Sequence, residues 1–574
     1  MEMVKLMLER VKTLTINNLL PKGEKTPDPI CASQPLAPTD PSQETETIAS
    51  KATHDGISVE QNKALLVRTK KPEFVLDNIK KSAVVAKHGD TYEIAVHWGL
   101  EETQILASKF KDVPSPINIK YHWPGEFKPF LHQKTTSGFL TLHKRAFCFN
   151  EQGTGKTASV IWATDYLMKI GAVRRALIVC PLSVMKSAWQ ADLFRFAMHR
   201  TFDVAYGTPT QRTKVVKSKA EFVITNYEGL EIIELELLSD GTFDLIVVDE
   251  CSAYKTVSTK RWKVLKRVSD SVPWLWMLTG TPAAQSPVDA YGLAKLVCPD
   301  RVPKFFGAFR DRVMTKVSQF RWVPRSNAEL IVHQSLQPAI RFEKKDCIDL
   351  PDVTYVARDA PLSAQQKKYY KILKDQMLFS AAGEEVSSMN AATNINKLLQ
   401  ISGGAVYTDT KDVIVFDVSN RLRVIEEIIS EASHKVLVYV PFNHTIDLLH
   451  AHLTKAGISC DIINGDVSVN KRASIIQKFQ GDKDPQVLII QPKAASHGLT
   501  LTAANVIIWY APVTSVETYL QANARINRPG QRNPMTIVHV AGSDVERRLY
   551  TLLRDNINIH AKIVELYGKE MDAS

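Results

Sequence analysis

The chain has 574 residues, too many for one hydrophobic core, so two or more domains are expected. Its composition, 44% hydrophobic and 23% charged, is ordinary for a soluble globular protein, and a net charge of +11 permits a polyanionic partner without requiring one. The 7 cysteines are scattered with no C-x-x-C pair, which argues against a disulfide framework or a zinc site and for a reducing compartment. No apolar run approaches the roughly 20 residues that span a bilayer, and Glu2, Lys5, Glu9 and Arg10 are unlike a signal peptide.

Met3, Val4, Leu6, Met7, Leu8, Val11 and Leu14 fall near helical spacing, which predicts an amphipathic helix over 1–20, packing on the body or recruiting a partner. Residues 21–64 are rich in Pro, Thr, Ser and Asp and read as a flexible linker. Over 65–120 a small α+β accessory module is expected, with a hairpin around Lys87-His88-Gly89-Asp90 and a helix over 99–110. From 121 short apolar strands alternate with helices: 176–180, 222–225, 245–248 and 274–278. Residues 300–420 interrupt the pattern with helical insertions and an inter-lobe linker. It resumes over 421–555 with strands at 435–440, 460–463, 486–491, 506–509 and 536–540, and 556–574 form a C-terminal helix or tail. The expected fold is therefore α/β, with two parallel-sheet lobes at 121–299 and 421–555.

Within the first lobe, the run Phe147-Cys148-Phe149 stops in Asn150-Glu151-Gln152-Gly153-Thr154-Gly155-Lys156-Thr157, and a helix follows over 158–168. A loop at a helix N-terminus presents backbone N–H groups to phosphate, and the helix dipole favours the negative charge. Lys156 would reach the β- and γ-phosphates of a nucleotide, and the Thr157 hydroxyl would hold Mg2+. Leu245-Ile246-Val247-Val248-Asp249-Glu250 is a buried strand ending in two acids. Asp249 would hold Mg2+, and Glu250 would polarise the water that attacks the γ-phosphate. Thr279-Gly280-Thr281-Pro282 ends another strand with hydroxyls that could sense those acids. In the second lobe, Gln521, Arg525 and Arg528 are spaced to share one helix face suited to phosphate. Lys304, Arg310, Arg312, Arg321 and Arg325, interleaved with Phe305, Phe306, Phe309, Phe320 and Trp322, either brace DNA or form a packed insertion with a solvated rim.

The ordered set resembles the helicase-like ATPase core of superfamily 2, and most closely its Swi/Snf-type branch of double-stranded DNA translocases, over residues 127–550. Phe130-Leu131-His132-Gln133 resembles the adenine-reading motif, in which Gln133 would contact the base. The Asn150–Thr157 run resembles the family's Asp-Glu-Met-Gly-Leu-Gly-Lys-Thr loop, so Glu151, Gly153, Thr154, Gly155, Lys156 and Thr157 would surround ATP. Val179-Cys180-Pro181-Leu182-Ser183 with Trp189, and Ile224-Thr225-Asn226-Tyr227-Glu228, resemble stretches that touch the DNA backbone. Residues 341–351, 435–442, Asn464-Gly465-Asp466 and 498–505 resemble further motifs. The most specific signal is the Gln-x-x-x-Arg-x-x-Arg-x-Gly-Gln run, 521–531.

The resemblance implies two RecA-like lobes with ATP and Mg2+ between them, and catalysis by Lys156, Asp249, Glu250, Arg525 and Arg528, with Gln521 at the nucleotide. It also implies contact with double-stranded or forked DNA through the backbone, by Pro181, Leu182, Thr225, Asn226, Lys493 and Thr500. Departures stand beside it: Ser252 where the family has His in Asp-Glu-x-His, Ala495 and Ser496 for a Gly-Gly pair, and His497 for Leu. No histone-tail reader, zinc finger or nuclease motif is recognised, which points to a compact bacterial or phage member in the cytoplasm of a bacterial or phage-infected cell. Rival expectations are a strand-separating RNA or DNA helicase, an RNA polymerase remodeller, and an ATP-regulated subunit that recruits a protein partner through residues 1–120.

Overall fold

The computed structural model describes residues 56–555 apart from 126, 281, 284–285, 319–321, 348, 382–387, 408–412 and 496–498. The expected helix at 1–20, most of the expected linker, the tail at 556–574, and Thr281, Phe320, Arg321, Ser496, His497 and Gly498 lie outside those residues.

The N-terminal module is a four-stranded antiparallel sheet in the spatial order Ile57–Glu60, Ala64–Thr69, Thr91–His97, Ser82–His88. Its first strand lies inside the stretch read as linker, so ordered structure begins earlier than composition implied. The hairpin turns at Gly89, whose φ of 60° belongs to the left-handed region that glycine enters without steric cost. Leu65, Val67, Ile94, Val96, Trp98 and Leu106 close a small core that takes in Leu142 from the helix Leu131–Leu142 of the first lobe.

The first lobe carries a seven-stranded parallel sheet in the order Ala339–Ile340, Arg145–Cys148, Trp274–Leu278, Leu245–Val248, Ala176–Cys180, Phe222–Asn226, Phe202–Val204. Its central strands are buried along their whole length, which is why they read as continuous apolar runs. Successive side chains enter opposite cores: Leu177, Val179, Ile246 and Val248 on one face, Ile178, Cys180, Leu245 and Val247 on the other. The second lobe repeats the plan with six parallel strands, in the order Val353–Asp359, Met535–Ala541, Ala504–Trp509, Lys435–Tyr439, Val487–Ile490, Cys460–Ile463. These are two RecA-like lobes.

Two strands come from the stretch expected to be insertion and linker. Ala339–Ile340 is one edge strand of the first sheet and Val353–Asp359 one edge strand of the second. Within the same stretch Phe309 is buried in the first core, while Arg310 stacks on Trp322 at 4.0 Å and Phe305 stays exposed beside Lys304. No described helix is long and apolar enough to cross a membrane.

Candidate active site

The phosphate loop joins the strand Arg145–Cys148 to the helix Lys156–Lys169. Gly153 and Gly155 both take positive φ, 88° and 77°. A Cβ on Gly155 would lie 2.1 Å from Gln133 Nε2, and one on Gly153 would lie 3.3 Å from the Cβ of Arg528. The loop can therefore tolerate neither another backbone shape nor much side chain. The Lys156 ammonium folds over the loop and donates to the Asn150 and Glu151 carbonyls at 2.8 and 3.2 Å. Thr157, half-buried, is the second residue of the helix.

Gln133 is buried against the same loop. Its Oε1 accepts the Phe130 N–H at 2.9 Å, and its Nε2 donates to the Thr154 carbonyl at 3.3 Å. Phe130 stacks on His132 at 5.7 Å, and His132 meets Phe342 at 5.9 Å. A flat base could rest on this aromatic group, beside the Gln133 amide.

The two acids sit at the C-terminal end of Leu245–Val248. Trp189 Nε1 donates to Asp249 Oδ2 at 2.9 Å, and the Glu250 N–H to Asp249 Oδ1 at 3.0 Å. Thr279 Oγ1 donates to Glu250 Oε2 at 3.3 Å, the contact a nucleotide-sensing hydroxyl would need. Burial raises the pKa of both carboxyls; for Glu250 the neighbouring Asp249 adds to it while Lys156 opposes, and the result is about 7. Two half-buried carboxyls, reluctant to ionise together and under the influence of a lysine, fit a site for a divalent cation. Asp249 and the Thr157 hydroxyl are the oxygens that would hold Mg2+.

The second lobe brings its arginines to the loop, though not as expected. The helix Val516–Asn523 stops before them, and Arg525 and Arg528 sit in the turn beyond its C-terminus, ahead of Pro529 and a left-handed Gly530. They converge through backbone anchors instead of a shared helix face. Arg525 Nε donates to the Gln521 carbonyl at 2.8 Å, and both guanidinium groups donate to the Leu499 carbonyl, at 3.3 and 2.7 Å. Arg525 also reaches Gln152 Oε1 of the first lobe at 3.5 Å. Burial lowers both pKa values, that of Arg528 to about 9 with Arg525 as the second cause. Gln521 is turned to Glu517, to which its Nε2 donates at 3.2 Å, so the structure does not bring its side chain to the phosphate loop.

Four residues outside the expected set complete the site. Glu517 accepts a hydrogen bond from Ser252 across the lobes. Lys344 links Glu151 to Asn527. Gln152 meets Arg525, and Asp192, pushed up to about 6 by burial, feels Arg195 and Arg528. Glu517 stands one helical turn before Gln521, and Lys344 lies inside the basic 341–351 segment, which were the only sequence signals for them.

The residues expected on the DNA backbone are divided. Leu182 and Lys493 are exposed, whereas Thr225 and Asn226 are buried, with Asn226 Oδ1 accepting from Arg212 at 3.0 Å and its Nδ2 donating to Glu228 at 2.7 Å. Pro181 ends the strand Ala176–Cys180. Thr500 accepts from Arg528 at 2.7 Å.

Residues 94–403 match the model of the SNF2-related domain, and 420–530 that of the helicase conserved C-terminal domain. The chain is 26% identical over 436 residues to the mouse "Chromodomain-helicase-DNA-binding protein 1-like", covering 72% of this chain and 47% of that protein. It is 24% identical over 442 residues to "Putative protein p41" of Acyrthosiphon pisum secondary endosymbiont phage 1, covering 73% of this chain and 94% of the phage protein. An "Uncharacterized ATP-dependent helicase" of Mycoplasma genitalium is 25% identical over 411 residues, 70% of this chain and 38% of that one. The chain thus spans under half of the mouse relative and nearly all of the phage one.

Proposed function

Because the chain belongs to the SNF2-related family of helicase-like ATPases, we propose that it is an ATP-driven motor that moves along duplex DNA. The observation that supports this best is the meeting of Gly153 with Arg528, which sets an arginine pair from one lobe against the phosphate loop of the other.

ATP binds in that cleft. The loop N–H groups and Lys156 take the β- and γ-phosphates, Gln133 the adenine. Mg2+, held by Thr157 and Asp249, supplies charge neutralisation at the phosphates when bound. Glu250 accepts a proton from water as the water oxygen attacks the γ-phosphorus. The bond from that phosphorus to the β-bridging oxygen breaks, and ADP leaves with the oxygen. Arg525 and Arg528 neutralise charge on the transferring group, a contribution worth roughly 10³–10⁵ in rate in other NTPases. Trp189 and Thr279 hold the two acids in place.

Alternate gripping of the DNA backbone by two lobes then advances the protein by about one base pair per ATP, as the family resemblance implies. Contacts to phosphates make binding salt-dependent and weakly sequence-selective. The motor acts on forks, junctions or protein–DNA complexes in repair, recombination or replication, in the cytoplasm of a bacterial or phage-infected cell. The near-complete span of the phage relative supports that setting. Residues 1–120 are proposed to direct it to a protein partner.

The test is steady-state ATP hydrolysis alone and with equal amounts of duplex, single-stranded and forked DNA and of RNA. Stimulation by duplex, greatest for forks, is expected. Stimulation only by RNA or single strands would overturn the duplex reading in favour of a strand-separating helicase.

A further inference from the structure

Lys344 stands between the phosphate loop of one lobe and the arginine turn of the other, and belongs to neither motif. It follows the edge strand Ala339–Ile340, whose continuation is tied to the loop. The Phe149 and Glu151 N–H groups donate to the Ile340 and Phe342 carbonyls at 2.8 and 2.9 Å, and the Phe342 N–H donates to Asn150 Oδ1 at 3.0 Å. The Lys344 N–H donates to Glu151 Oε2 at 2.9 Å, and its ammonium crosses to the Asn527 carbonyl, between the two arginines, at 2.7 Å.

The surroundings of this ammonium are mostly cationic. Arg528, Lys156 and Arg525 all act on it, and Glu151 is the acid that opposes them. Burial is the largest influence, and its pKa falls to about 8. One peptide carbonyl is a weak partner for a half-buried ammonium, whereas a phosphate oxygen makes a charge-assisted bond. Three other cations act on the same ammonium, so the place suits a polyanion better than a lobe contact alone.

We propose that Lys344 is a further phosphate-binding cation of this site, leaving the Asn527 carbonyl for the terminal phosphates of bound ATP and so tying the inter-lobe segment to the nucleotide. The proposal rests on the nucleotide reading above. It gives the lysine two exclusive partners: a carbonyl of the second lobe without nucleotide, a phosphate with it. The preference is then for nucleoside triphosphate over monophosphate, through a residue outside both motifs.

The experiment uses the full chain as wild type, Lys344→Ala, Lys344→Arg and Lys156→Ala. It measures dissociation constants for N-methylanthraniloyl ATP, ADP and AMP without DNA. Lys344→Ala is expected to weaken ATP about tenfold or more, as loss of one charge-assisted bond does, to weaken ADP less, and to leave AMP unchanged. Lys344→Arg should restore most of the ATP affinity. Equal weakening of all three nucleotides, or none, would overturn the proposal and leave Lys344 as a strut between lobes. If Lys344→Ala fails to fold, Lys344→Gln keeps a donor for the Asn527 carbonyl without charge and gives the same comparison. If Lys156→Ala binds ATP as tightly as wild type, the nucleotide reading fails, and this proposal with it.

Discussion

Ser252 of the first lobe donates a hydrogen bond to Glu517 of the second at 3.1 Å. Ser252 stands two residues after the acid that would activate water, and Glu517 lies on the helix that ends just before Arg525. The bond joins the two halves of the site where the resemblance led one to expect a histidine. It forms only when the lobes are together, so it favours closure. Ser252→Ala should lower kcat about three- to tenfold, the equivalent of one modest hydrogen bond, with DNA affinity unchanged. Ser252→His, which keeps a donor, should retain more activity. Parallel kinetics and DNA-binding titrations of the three proteins check this, and an unchanged kcat in Ser252→Ala would mean the contact is incidental.

Lys156→Ala and Glu250→Gln should both abolish hydrolysis while leaving DNA binding largely intact. Glu250→Gln keeps the side-chain size and the contact with Thr279, so its loss isolates the proton acceptor. Normal turnover by Glu250→Gln would refute the water-activating role.

The same residue sets a pH dependence. A carboxyl raised to about 7 by burial and Asp249 is protonated, and useless as a base, in a range where an ordinary glutamate is ionised. The value of kcat/KM, which reports ionisations of the free enzyme, should therefore fall as pH drops through neutrality instead of near 4. A profile flat from pH 8 to 5 would show that Glu250 stays ionised.

His539 makes stability depend on pH independently of turnover. It stacks on Tyr550 at 4.2 Å and shares a hydrogen bond with the Tyr519 hydroxyl at 2.9 Å. Burial first, then Arg554, lowers its pKa to about 4. The unfolded chain takes up this proton below about 6.5 while the folded one refuses it, so stability is lost as pH falls from 6.5 toward 4. The cost is about 2 kcal/mol at pH 5. Between pH 7 and 5, His539→Phe should lose less stability than wild type by about that amount, measured by denaturant unfolding of the second lobe.

Arg421 and Glu546 form a fully buried ion pair at 2.8 Å, with Glu546 also accepting the Gly542 and Ser543 N–H groups. Arg421→Met strands that carboxylate, and should destabilise the second lobe by about 3–5 kcal/mol. Adding Glu546→Gln should recover part of the loss, which denaturant titrations of both variants would reveal.

The strands that sequence made plain are the central ones. Leu245–Val248 and Trp274–Leu278 are flanked by neighbours on both sides and buried on both faces, so every position is apolar. Val353–Asp359 escaped notice because it is an edge strand with exposed positions along its length, and only its pairing with Met535–Ala541 makes it a strand. The phosphate loop and the acid pair were legible because their chemistry is local. The arginine turn reads as helix from sequence because Ala524 and Arg525 are good helix formers, whereas the stop imposed by Pro529 and Gly530 acts several residues upstream. Glu517 and Lys344 were invisible as site residues because their partners, Ser252 and Glu151, are distant in sequence and adjacent only in space.

The division of residues 339–359 between the two sheets has a mechanical consequence. The chain stays bonded to the first lobe through the Lys344 N–H, and joins the second at Val353, so the crossing is confined to the short stretch between the 3-10 turn Lys344–Asp346 and that strand. Such a stretch, even drawn straight, spans about 20 Å. Each lobe is therefore on a very short tether to the other, and the local concentration of the arginine turn at the phosphate loop stays high however far the cleft opens. In the motor proposed above, reclosure after product release would be a unimolecular swing over a small arc, and lengthening the tether with inserted glycines would dilute the turn and slow every cycle without touching a single residue of the site.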